Sequence, residues 1–84
     1  MISIDFWNVF YVHDSTADNF TAQLFRLIAK SDRTNQLRLS LGYPIEVALY
    51  QWWISQPLVT DLKEARKLIN EKVAELENQV ANPK

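Results

Sequence analysis

Gly42 is the only glycine in this chain, and Pro44, Pro57 and Pro83 are the only prolines. A fold of many short strands needs a turn every eight to twelve residues or so, and turns draw heavily on these two residue types. Three or four breaks across 84 residues instead suit a few long segments joined by short loops. The apolar residues between the breaks recur mostly at helical spacing. The chain is therefore expected to be all-α, a small bundle of four to five helices with a long C-terminal helix. At this length it forms one helical domain spanning residues 1–84.

The segments follow from local chemistry. Ile2 to Val12 reads two ways, because Ile2, Ile4, Phe6, Phe10 and Val12 alternate as in a strand, whereas Phe6, Val9 and Phe10 also share a helical face behind a possible Asp5 cap. With no second strand to pair, a helix with an extended start is favoured. Thr16 is a plausible N-cap for a helix from about Ala17 to Lys30, with Ala17, Phe20, Leu24, Leu27 and Ile28 as its core stripe. Ser31 and Asp32 offer the next cap. A short helix from Arg33 to Leu41 should then stop at Gly42, which can take the left-handed C′ conformation without a Cβ clash. Pro44 suits the first turn of the following helix, and Gln56-Pro57 ends it. Thr60 is expected to cap a last helix from about Asp61 to Val80. There, Leu62, Ile69 and Leu76 recur every seven residues, as do Arg66, Val73 and Val80. The expected core comprises Phe6, Phe10, Phe20, Leu24, Leu27, Ile28, Leu37, Leu41, Ile45, Leu49, Trp52, Leu62, Ile69, Val73 and Leu76.

Several function classes are disfavoured. The chain has no cysteine, which removes a disulfide framework, a thiolate zinc site and a cysteine nucleophile. This fits a reducing, cytoplasmic setting. Met1-Ile2-Ser3-Ile4-Asp5 carries no basic n-region, so no secretory signal is expected. No apolar run approaches the roughly 20 residues of a membrane span. His13 is the only histidine. It neighbours Asp14, as an oriented general base would, but no nucleophile is tied to it by any motif, and a surface or capping role is the better reading. Asp14, Asp18 and Asp32 lack calcium-loop spacing. No catalytic residue, metal site or cofactor is expected, and the chain is read as a non-enzyme.

Two sets of residues remain as candidate binding surfaces. Ten aromatic residues in 84 exceed what so small a core readily hides. Trp52 and Trp53 are adjacent, hence about 100° apart on a helix, and cannot both point into one core. The exposed one, with Trp7 or Tyr50, is a candidate hot spot. The seam residues Ile69, Val73, Leu76 and Val80 either dock in cis or pair with a second copy, so a homo-oligomer or a complex with another protein is expected. The competing set is Arg26, Lys30, Arg33 and Arg38. The first three follow an i, i+4, i+7 rhythm if the helix persists, and all four together are candidates for binding a nucleic acid or nucleotide. Net charge −1 weighs against a nucleic-acid partner.

The stretch Asn19–Val47, NFTAQLFRLIAKSDRTNQLRLSLGYPIEV, resembles short helical proteins of bacteriophages and prophages. The shared features are an Asn-Phe start, a leucine-rich helix, a Lys-Ala-Asp-like break and a Gly-Phe-Pro turn followed by Glu-Val. Here the break is Lys30-Ser31-Asp32 and the turn is Gly42-Tyr43-Pro44 before Glu46-Val47, so Ser31 and Tyr43 depart mildly from the pattern. The resemblance covers about a third of the chain and falls on caps, turns and core. It implies an accessory protein of a mobile element, a class that often binds and blocks a host protein.

Overall fold

The computed structural model describes residues 2–57 and 61–81. They form five α-helices, and no strand occurs among them. The first, α1, spans Ile2–Trp7 and widens into a π-helical stretch over Asn8–Val12. Helix thus holds from Ile2, without an extended start. Asp5 is no cap: it sits inside α1, buried. His13 closes the segment in the left-handed region, at φ 56° and ψ 43°, and its N–H donates to the Asn8 carbonyl. A small energetic penalty attaches to this conformation in a residue with a Cβ. A second donor, the Asp14 N–H, reaches the same carbonyl at 2.9 Å, which fixes the turn.

Helix α2 covers Phe20–Lys30, three residues shorter at its start than Thr16 capping would give. The Thr16 hydroxyl is already used, donating to Asp14 Oδ1 at 2.6 Å. Asn19 caps instead. Its Oδ1 accepts from the Ala22 N–H at 2.9 Å, and its Nδ2 donates to Asp5 Oδ1 at 2.8 Å. One side chain thereby starts α2 and ties it to the buried carboxylate of α1. The inward face is Ala22, Leu24, Phe25 and Ile28. It is turned roughly a quarter rotation from the expected stripe. Phe20 and Leu27 are consequently exposed, at 65% and 47%. The cause is Phe25, whose ring fits edge-on against Phe6, centroids 5.1 Å apart.

Asp32 caps α3 (Arg33–Gly42) as expected, accepting from the Asn35 N–H at 2.8 Å. Gly42 is the last helical residue and has no positive φ. The chain turns at Tyr43 (φ −133°, ψ 60°), whose N–H donates to the Leu39 carbonyl. None of α3 is buried. Leu37 and Leu41 were expected in the core but stand 68% and 84% exposed. α3 lies at the edge of the bundle and touches it through Leu39. Gln36 adds polar ties, donating to the Ile28 and Ser31 carbonyls and accepting from Gln51.

Pro44 opens α4 (Pro44–Ser55), which buries Val47 and Leu49. Ile45, Phe10 and Trp52, expected as full core residues, are only half-buried. α5 spans Leu62–Ala81. Thr60 lies outside the described residues. Asp61 caps this helix, its Oδ1 accepting from the N–H groups of Lys63 and Glu64. Ala65, Ile69, Val73 and Leu76 are its buried residues, a stripe of period 3.6. The seven-residue series is not the packing unit, because Leu62, Arg66 and Val80 are exposed. α5 lays this stripe on α4 and α1 of its own chain. No described helix is long and apolar enough to cross a membrane.

Candidate interaction surface

Aromatic rings dominate the place where α1, α4 and α5 converge. Phe6 is fully buried, with Phe10 at 4.7 Å and Trp53 at 5.6 Å between ring centroids. Trp53 also lies 5.0 Å from Phe10, and its Nε1–H donates to Tyr11 Oη at 3.4 Å. Tyr50 is 5.4 Å from Phe10. Trp7 stacks on Tyr11 at 4.5 Å, nearly parallel, under the Arg66 guanidinium at 5.6 Å. Such edge-to-face and stacked pairs each add about 0.5–1.5 kcal/mol beyond burial. The helical spacing Phe6/Phe10 and Trp7/Tyr11, four residues apart, makes two of these contacts local.

Trp52 and Trp53 meet different neighbours, but both are half-buried, so neither is the core ring and neither the exposed one that was expected. Trp53 meets Phe6, Phe10 and Tyr11, whereas the core expectation named Trp52. Trp52 is half-buried with the Lys72 ammonium 5.9 Å above its ring. Lys72 also pairs with Glu75 at 3.3 Å. Both tryptophans, with Phe10, Tyr11, Ile54 and Leu68, line a half-open groove of about 500 Å³. The sequence reading missed Phe10, Tyr11, Ile54 and Leu68 as lining residues. The i, i+4 relation of Trp7 and Tyr11 was a signal that could have found one of them.

Of the other proposed interface residues, Ile69, Val73 and Leu76 are buried in the chain's own core. Val73 and Leu76 present little free surface because α5 folds back on its own chain, a correction, whereas Ile69 also lines the aromatic groove. Val80 is exposed near the end of α5.

The four cations do not form one cluster. The helix breaks at Ser31-Asp32, so the i, i+4, i+7 rhythm stops before Arg33. Arg26 donates from Nη1 to the Ala17 carbonyl at 2.5 Å and from Nη2 to the Asp14 carbonyl at 2.7 Å. It clamps the 13–19 loop. Lys30 lines a groove with Phe20 and Tyr43, and Arg33 lines another with Leu37 and Gln51. Arg38 is exposed on α3.

His13 is exposed, and the Asp14 carboxylate beside it serves the loop. It accepts from the Thr16 hydroxyl and from the Thr16 N–H at 2.9 Å. These two donors, hydroxyl first, hold the Asp14 carboxyl below its ordinary value of 3.8. A lowered folded value means the bond favours folding above pH 3.8 and is lost as pH falls through the folded value. Thr16→Val should raise the Asp14 midpoint in a carboxyl-detected NMR titration. An identical midpoint in both proteins would show that the hydroxyl does not set it. Among the described residues, no group of three or more His, Asp or Glu is placed to hold a metal ion.

No family model, curated protein or solved structure matches this chain.

Proposed function

We propose that the protein is a small non-enzymatic interaction module, of the accessory type found in phages and prophages. It binds a second copy of itself or a host protein through the aromatic groove. The observation that supports this reading is the half-open groove between α4 and α5, lined by Trp52, Trp53, Phe10 and Tyr11. Rigid aromatic rings give a large contact area with few rotors to freeze, which is why Trp and Tyr dominate interface hot spots. Both tryptophans line the groove, and Trp53 is in addition packed on Phe6, Phe10 and Tyr11.

Light scattering on a sizing column, over a range of protein concentration and at two salt concentrations, tests the self-association. Wild type is expected to associate with little response to salt. Trp52→Ala should weaken association by about 2 kcal/mol, roughly 30-fold, while leaving the helical circular dichroism intact. Trp53→Ala should weaken association and also lower the melting temperature, because it opens the aromatic cluster. If wild type is monomeric, the same two variants serve as controls for capture of a host protein. Association unchanged in both variants would remove the groove from the interface.

A further inference from the structure

The aromatic groove has the chain's one histidine in its lining. His13 ends the π-helical stretch and borders the groove beside Tyr11 and Trp53. Its backbone fixes it there, left-handed at φ 56°, with the His13 and Asp14 N–H groups both donating to the Asn8 carbonyl. The imidazole also borders a smaller cleft of about 370 Å³, shared with Asp14 and Arg26. An imidazole changes charge between about pH 8 and pH 5, a range over which carboxylates, ammonium and guanidinium groups keep theirs. The groups that face His13 leave it as the one switchable charge. The π-helical stretch supplies the Tyr11 phenol, and phenols stay neutral in this range. α4 and the residues after it supply Trp53, Gln56 and Pro57, and α5 supplies Ala65, Leu68 and Ile69, none of which ionises. Asp14 is the one anion in either lining, and its carboxylate is bonded to Thr16. The Arg26 guanidinium is bonded to the Asp14 and Ala17 carbonyls, and the α5 cations Arg66 and Lys72 lie over Trp7 and Trp52.

We propose, on the reading of this groove as the binding surface, that His13 makes its occupancy pH-dependent: tight when the imidazole is neutral, weak when it is protonated. An apolar occupant that fills the groove also covers the rim and takes water from the imidazole. Desolvation penalises the charged form of a base, so occupancy and protonation oppose each other. Linkage then fixes the sign. The occupied protein binds a proton less readily, so protons release the occupant, and affinity falls as pH falls. Asp14 opposes this by favouring the imidazolium, but its carboxylate is already satisfied by the Thr16 donors, so desolvation sets the direction. Exposure bounds the size. Full burial of a base is worth several pH units. His13 is an exposed residue that an occupant covers from the groove side only, so about a tenfold loss of affinity is expected.

The uncharged dye Nile red serves as the probe, titrated into the full chain at about pH 7.5 and at about pH 5.5, on either side of the imidazole range. Wild type should bind it about tenfold more weakly at the lower pH. His13→Asn should bind it equally at both, near the tighter wild-type value. Asn tolerates the left-handed backbone better than most residues, so the helical circular dichroism of this variant should match wild type at each pH. Trp52→Ala should weaken dye binding at both pH values, which places the dye in the groove. No dye binding, or binding indifferent to Trp52→Ala, would remove the groove as a binding surface and the switch with it. Where binding does depend on Trp52, three results would overturn the switch alone: equal wild-type affinity at the two pH values, tighter binding at the lower one, or the same loss in His13→Asn.

Discussion

Phe6→Ala should cost about 3–5 kcal/mol of folding stability, the range for deleting a fully buried phenylalanine ring. Phe6 has no exposed surface, and its ring touches Phe10, Phe25 and Trp53. It joins three helices: α1, which carries it, α2 through Phe25, and α4 through Trp53. The loss combines the transfer term of the ring, the cavity left behind and three aromatic contacts. A chain of this length has roughly 4–13 kcal/mol in total, so much of the folded population is at stake. Urea unfolding followed by circular dichroism measures the loss, and Phe6→Leu should recover a large part of it by refilling the space. A loss under about 1 kcal/mol would mean that the cluster repacks around a smaller residue and that Phe6 is not its keystone.

Ile69→Ala should cost about 2–5 kcal/mol, by the same amount at every protein concentration. Ile69 is 2% exposed and belongs to the stripe that α5 lays on its own chain. Its apolar contacts are therefore intramolecular, and diluting the protein does not remove them. A stability difference between wild type and variant that fades on dilution would instead place Ile69 in a seam between two chains. Urea midpoints at two concentrations a hundredfold apart decide the matter.

The aromatic groove is partly legible in the sequence. Trp52 and Trp53 are adjacent, so helical geometry alone makes them diverge, which marks an aromatic surface there. Which one meets the other rings was not legible. Trp53 packs on Phe6 of α1 and on Phe10 and Tyr11 of the π-helical stretch, and a sequence does not say which rings from distant segments arrive together. The basic set failed as a unit for a related reason. Its rhythm assumed a continuous helix, whereas Asp32 is a strong N-cap that starts a new one, and Arg26 found two loop carbonyls instead of solvent.

What the sequence determined by itself is the local architecture. One glycine and three prolines dictated a helical chain, Asp32 and Pro44 marked helix starts, Gln56-Pro57 marked a stop, and the last helix was visible in its long periodic run. These features depend on neighbours within a turn or two, so nearby residues suffice to specify them. What only the tertiary structure decided is the direction each helix faces. α2 has apolar side chains around most of its circumference, and Phe25 rather than Phe20 is buried because a slot between α1 rings accepts it. α3 shows Leu37 and Leu41 to solvent because it lies at the edge of the bundle. α5 buries a stripe of period 3.6 where it packs against α4 and α1. In each case burial is a contest among several apolar faces, and its winner is set by the shape of the surface that another segment brings to meet it.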